Sequence, residues 1–231
     1  DFAEAHYNLG VTLQELGQLD TAIECYEQAF AIKPDYTEAF NNLGSVLKEL
    51  GQLDTALKSY KKVLAIKPDF AEAHYNLGVT LQELGQMDDA VKSYEQALAI
   101  NPDYTEAHNN LGIAHKELNQ LDDAVKSYGQ AFAINPDYAE AHYNLGIAHK
   151  ELNQLDDAVK SLEKALAINP DFAEAHYNFG GALEGLGQLD EALASYDRAI
   201  AINPDINFIL GDLLHTKMHL CIWDDLPNHL N

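Results

Sequence analysis

An asparagine recurs every 34 residues, at Asn8, Asn42, Asn76, Asn110, Asn144 and Asn178. A carboxamide carries a donor and an acceptor on one short arm. A regular row of them can hydrogen-bond the main chain of an extended peptide whatever its side chains. Asparagine is a mediocre helix former, so its return at one helical position asks for a reason. Two reasons are open: the row binds peptide, or each amide bonds a neighbouring helix and locks successive repeats together. Tyr7, Tyr75, Tyr143 and Tyr177 sit beside four of these asparagines, with Asn41 and Asn109 at the same register elsewhere. Their rings either stack on a ligand or pack internally. Lys48, Lys116 and Lys150 moderate an acidic edge formed by Glu15, Glu49, Glu83, Glu117 and Glu151. Each net hydrogen bond contributes roughly 0.5–1.5 kcal/mol, while association costs an estimated ~4–15 kcal/mol. The row alone therefore predicts weak, sequence-tolerant binding.

Other chemistry is thinly represented. His6, His74, His108, His142 and His176 share one repeat position and read as structural. His115 and His149 replace leucines on an apolar stripe, seven residues beyond His108 and His142. That spacing does not bring two ligands to one metal, so no metal site and no cofactor are expected. No glycine-rich phosphate loop, cysteine cluster or strand-borne nucleophile is present, and the chain does not read as an enzyme. Cys25 and Cys221 fall near opposite ends of the sequence, which argues against an internal disulfide and for a reducing, cytoplasmic or nucleocytoplasmic setting. The net charge of −23 repels a phosphate backbone and excludes nucleic acid as a partner. No apolar run approaches the roughly 18 residues of a membrane span. The second repeat alone is slightly basic, through Lys48, Lys58, Lys61, Lys62 and Lys67; this reads as a solvated face rather than a docking patch.

The elements that must position the asparagines follow from the period. Asp opens and Pro closes each unit, giving repeats 1–34, 35–68, 69–102, 103–136, 137–170 and 171–204, then a tail, 205–231. A fixed period of this size means a stacked array in which each unit covers its neighbour's apolar face. Within the first repeat, Asp1 and Glu4 predict a capped helix start. Ala5, Leu9, Leu13 and Leu16 predict its apolar stripe. Gly17 stops the helix in the left-handed conformation, a position held by Asn119 and Asn153 in repeats four and five. Asp20 opens a second helix with Ala22, Ile23, Tyr26, Ala29 and Phe30 inward, and Pro34 ends it. Gly10 recurs mid-helix in every repeat, at about 1 kcal/mol against Ala. It predicts a close approach, with the invariantly small Ala22 position facing it. Asn8 shares a stripe with Glu4, Val11 and Glu15, away from the leucines.

Leu9-Gly10, Ala22, Tyr26, Ala29 and Pro34 together resemble the tetratricopeptide repeat over residues 1–204. The departure is histidine, with Phe40 once, where that family often carries a large aromatic. The resemblance implies an all-α fold: a right-handed superhelical solenoid of six helix-turn-helix repeats plus a C-terminal helix. It also implies a concave groove lined by the first helices, in which proteins or peptides bind. The sixth repeat departs at Gly181 and Gly185, which predicts either a groove opened to a ligand backbone or a hinge.

The tail loses the repeat's acidic opening, yet Ile206, Leu210, Leu213, Leu214, Lys217, Leu220 and Cys221 trace a helix face. Residues 210–225 resemble the junction between repeats and catalytic domain in the O-linked N-acetylglucosamine transferase and Spindly type of glycosyltransferase. That resemblance implies a substrate-recognition arm, with the tail packing against a catalytic domain absent from this chain. The chain starts in register and without Met, which reads as a fragment. A helix over Ile206–Trp223 is expected on the sixth repeat's second helix, with Trp223 near an apolar patch; a homo-oligomer stays open. The alternatives are a free-standing scaffold or adaptor and a consensus-like designed array.

Overall fold

The computed structural model describes residues 2–222. Among these residues every regular element is an α-helix, and there are thirteen. Two compact units divide the chain after Leu118. The first contains α1 (Phe2–Glu15), α2 (Leu19–Ile32), α3 (Thr37–Glu49), α4 (Leu53–Ile66), α5 (Ala71–Glu83), α6 (Met87–Ile100) and α7 (Thr105–Glu117). The second contains α8 (Leu121–Ile134), α9 (Ala139–Glu151), α10 (Leu155–Ile168), α11 (Ala173–Gly185), α12 (Leu189–Ile202) and α13 (Ile209–His219).

In the first unit α1–α2, α3–α4 and α5–α6 are hairpins, and each second helix also packs on the next repeat's first helix. The second unit repeats this with α9–α10 and α11–α12. Each hairpin turn uses the left-handed conformation: Gly17, Gly51, Gly85 and Gly187 have φ of 71–76°, and Asn119 and Asn153 have 58°. The chain then closes a six-to-one bond, as from Gln18 N to Leu13 O at 2.8 Å.

Three local expectations are corrected. In repeats two to six the opening Asp does not cap the first helix; Asp1 itself lies outside the described residues. Helices α3, α5, α7, α9 and α11 begin two residues later, behind Tyr36, Phe70, Tyr104, Tyr138 and Phe172, with no side-chain cap bond. The first-turn glutamates instead meet the positive end of the helix dipole. Second, the close neighbour of the mid-helix glycine is not Ala22 but the residue four positions on. A Cβ at Gly10 would lie 2.7 Å from Tyr26, and at Gly78 equally close to Tyr94. The glycine makes room for a fully buried ring, with Leu162 taking that place opposite Gly146. Third, Ala5, Leu9 and Leu16 are exposed, Leu9 at 50% against 6% for its equivalent Leu43. A preceding second helix covers the stripe in later repeats, and none precedes α1 among the described residues.

The tail helix is shorter than expected, Ile209–His219 rather than Ile206–Trp223, and it packs on α12. Ile209 and Leu213 are buried with Leu183, Tyr196 and Ala199. The repeat register continues through it. Asp212 falls 34 residues after Asn178, and Cys221, 34 after Gly187, adopts the same positive φ. Helix α13 thus stands at the register of a first helix. Trp223 lies outside the described residues.

Candidate functional site

The asparagine row occupies the first helices, where position eight turns away from the second helices. In the first unit the amides reach to the preceding repeat. Asn42 Nδ2 donates to the Tyr7 hydroxyl at 3.3 Å, and Asn110 Nδ2 donates to the Tyr75 hydroxyl at 3.1 Å. Between them, Asn76 Nδ2 donates to Asn41 Oδ1 at 3.2 Å, and buried Asn41 passes a bond to Glu72 at 2.8 Å. The alternation of Tyr and Asn at position seven is therefore an alternation of acceptors for the same donor. In the second unit Asn178 Nδ2 donates to the Tyr143 hydroxyl at 3.3 Å and also to Glu174 O. Asn144 is half-buried on α9, and Asn8 is exposed.

The tyrosines pack rather than stand free. Tyr7 lies 5.1 Å from Tyr36, Tyr75 lies 4.8 Å from Tyr104, and Tyr143 lies 4.7 Å from Phe172. Each thus fills the gap below the next first helix while its hydroxyl serves an amide. The conserved inner ring reaches the same face from below: Tyr26 and Tyr94 donate to Gln14 and Gln82 at 2.8 Å. Burial, opposed by the bond with Asn42, pushes the Tyr26 phenol up to about 12. Tyr60 has Lys48 where Tyr26 and Tyr94 have glutamine, and its hydroxyl is buried.

The three lysines are held by the protein. Lys48 bridges to Glu83 of the next repeat at 3.2 Å. Lys116 pairs with Glu117 at 3.8 Å. Lys150 Nζ donates to Asn178 Oδ1 at 3.1 Å. Burial lowers the Lys150 pKa, opposed by Asp212, Glu151 and Glu184. A Cβ at Gly181 would sit 3.1 Å from the Lys150 amine, and one at Gly185 would meet Leu155 at 2.8 Å. The two glycines of the sixth repeat admit these side chains, which replaces both the opened groove and the hinge.

The acceptor half of the row remains. Among the described residues no donor bonds the Oδ1 of Asn42, Asn76 or Asn110. Cavities open beside the row in both units. One of 390 Å³ is lined by Asn110, Val79, Gln82 and Glu117. Another of 480 Å³ is lined by Asn178, Tyr177, Glu174 and Asp205.

Residues not singled out from the sequence complete this face. Glu184 accepts from the Tyr196 hydroxyl at 2.9 Å, and its other oxygen lies 2.9 Å from His215 Nδ1. Their signal was available in the period, since Glu184 stands at the Gln14 register. The histidines of position six bond backward: His74, His108, His142 and His176 meet the carbonyls of Pro68, Pro102, Pro136 and Pro170 at 2.9–3.1 Å. They tie each first helix to the end of the previous repeat. Among the described residues no group of three or more His, Cys, Asp or Glu converges as metal ligands, and no helix is long and apolar enough to cross a membrane.

Models of the tetratricopeptide repeat match residues 3–36 and 71–104, 25–58 and 93–126, and 143–205. A model described as TPR repeat matches 44–85 and 114–153. No curated protein sequence matches the chain. Among solved structures, MamA is 30% identical, with a TM-score of 0.67 over 73% of this chain and 92% of that one. YrrB, described as a TPR protein with an unusual peptide-binding site, is 24% identical, with a TM-score of 0.70 over 85% and 99%. PilW, described as a type IV pilus biogenesis factor, is 22% identical, with a TM-score of 0.80 over 91% and 98%.

Proposed function

The chain belongs to the tetratricopeptide-repeat family and is a protein–protein interaction module; from that premise we propose that its first-helix face holds an extended peptide through the asparagine row. One observation carries this reading. Each of Asn42, Asn76 and Asn110 spends its donor on the preceding repeat and keeps its Oδ1 unpaired. The lock and the binding row are therefore two halves of one side chain. The internal bond fixes the amide, so the ligand meets an acceptor already oriented and the ordering cost of binding falls. A ligand main-chain N–H would pair each of these Oδ1 atoms. Glu49, Glu83 and Glu117 set an acidic margin, while Lys48, paired with Glu83, and Lys150, bonded to Asn178, are already engaged and offer no open cradle for a ligand carboxylate.

A free-standing module or adaptor accounts for the molecule as described. The transferase-arm reading rests on residues 210–225 alone. Helix α13, at the register of a first helix, accounts for most of that stretch, and none of the three relatives above is described as a glycosyltransferase. The proposed site residues are Asn8, Asn42, Asn76, Asn110, Asn144 and Asn178, with the neighbouring tyrosines as their supports.

The test uses fluorescently labelled peptides selected for binding from a random-sequence library. Asn42→Ala, Asn76→Ala and Asn110→Ala together are compared with the parent at a temperature where both are fully folded. We expect weaker binding by a similar factor for peptides of unlike sequence. Unchanged binding by the folded variant leaves only the lock.

A further inference from the structure

The second repeat carries a feature that peptide binding on the first-helix face does not use. Between α2 and α4, floored by α3, lies a groove of 920 Å³. Phe40, Leu43 and Leu47 form its floor, and half-exposed Ile23 and Phe30 its α2 wall. Phe30 and Phe40 meet edge to face at 3.9 Å. The α4 wall presents Lys58, Lys61 and Lys62, all exposed, with the Lys62 amine 5.2 Å from the Phe40 ring centre.

This groove opens away from the asparagine row. Asn42 follows Phe40 by two residues, about 200° around a helix of 3.6 residues per turn. The corresponding groove in the second unit shows what the substitutions change. There Phe132, His142 and Lys164 stand at the registers of Phe30, Phe40 and Lys62. The histidine ring stacks on Phe132 at 4.9 Å and bonds Pro136, and the groove is 480 Å³. Where Phe replaces His, that backbone tie is gone and the space is larger.

We propose that this face docks an acidic amphipathic helix of a partner protein. The occupant follows from shape and charge. The α4 wall runs from Thr55 to Ala65, roughly 15 Å at the helical rise, or about three turns. A partner helix can lay apolar side chains at i, i+3, i+4 and i+7 on such a floor. Its flanking carboxylates would then meet three ammonium groups with only Glu27 on the opposite wall. Three lysines grouped on one helix of a chain with net charge −23 form a local positive field that selects an acidic partner. The same net charge repels an anionic bilayer at longer range.

The probe is a dye-labelled synthetic helix with Leu and Phe on one face and Glu on its flanks, titrated against the whole chain by fluorescence anisotropy. We expect roughly micromolar affinity that weakens as salt rises. Phe40→His installs the residue that the five other repeats hold and should weaken binding about tenfold. Lys58→Glu, Lys61→Glu and Lys62→Glu together alter only exposed residues and should abolish it. The asparagine triple variant should bind the acidic helix normally, while Phe40→His should retain the library-selected extended peptides; the two sites thus fail separately. Equal binding of a helix with Lys in place of Glu overturns the proposal. So does parental affinity in either groove variant. Sedimentation showing a dimer that the lysine variants dissociate makes the occupant a second copy and also overturns it, as does lysine-dependent binding to phosphatidylglycerol vesicles without binding to the helix.

Discussion

The Tyr177 hydroxyl donates to Asp212 Oδ2 at 2.7 Å, across the same 35-residue step that joins Asn42 to Tyr7. Helix α13 therefore engages α11 as α3 engages α1, with a carboxylate in place of the amide and the donor reversed. A hydrogen bond to a charged group contributes about 1.5–3 kcal/mol. Asp212→Ala should lower unfolding free energy by about that much and speed amide exchange in Ile209–His219. Asp212→Asn should recover part of the loss. Urea titration with hydrogen exchange checks this, and an unchanged Asp212→Ala protein would mean that α13 is held by its apolar contacts alone.

The mid-helix glycines give a paired prediction. Gly78→Ala improves helix propensity by about 1 kcal/mol but drives a Cβ to 2.7 Å from Tyr94. Overpacking of this kind costs typically ~1–3 kcal/mol, so the variant should be less stable. Gly129→Ala adds a Cβ whose nearest reported neighbour, Phe132, lies at 4.0 Å, and should gain about 0.5–1 kcal/mol. Chemical denaturation of both variants decides it; stabilisation by Gly78→Ala would remove the ring-packing explanation.

Buried phenols make the fold sensitive to base. Burial pushes Tyr26 up to about 12, and burial with the Asp212 bond does the same to Tyr177. Burial also raises Tyr94, Tyr104 and Tyr196. An unfolded tyrosine ionises near ~10, so the fold favours the neutral phenol. This contribution is complete below about pH 10 and is lost as pH rises towards about 12. Melting temperature should fall over that range, with phenolate absorbance appearing alongside unfolding. Phenolate formation without loss of helix would contradict it.

The period made the helix pairs, their turns and the face of the asparagines legible, because each feature recurs at one register. Three things were less so. The first repeat reads like the rest, but its Leu9 stripe is exposed because burial comes from the preceding repeat. Gly10 signals a close approach without naming what approaches; the ring of Tyr26 emerges only from packing. The tail reads as a break because it loses the repeat's acidic opening, although Asp212 and Cys221 keep register with Asn178 and Gly187. For the asparagines themselves, sequence set lock against binding as alternatives. In Asn42, Asn76 and Asn110 the geometry gives Nδ2 to the preceding repeat while no described donor meets Oδ1; Asn178 Oδ1 already accepts from Lys150.

The central claim is that the Oδ1 atoms of Asn42, Asn76 and Asn110 accept main-chain N–H groups of an extended ligand. Its most direct test leaves the protein untouched. In a library-selected peptide, each amide is replaced in turn by an ester, which removes one N–H and keeps every side chain. The account predicts affinity losses of about 0.5–1.5 kcal/mol at regularly spaced positions, alike in peptides of different sequence. Ester scans that cost nothing, in peptides whose affinity collapses when particular side chains are changed, would contradict it.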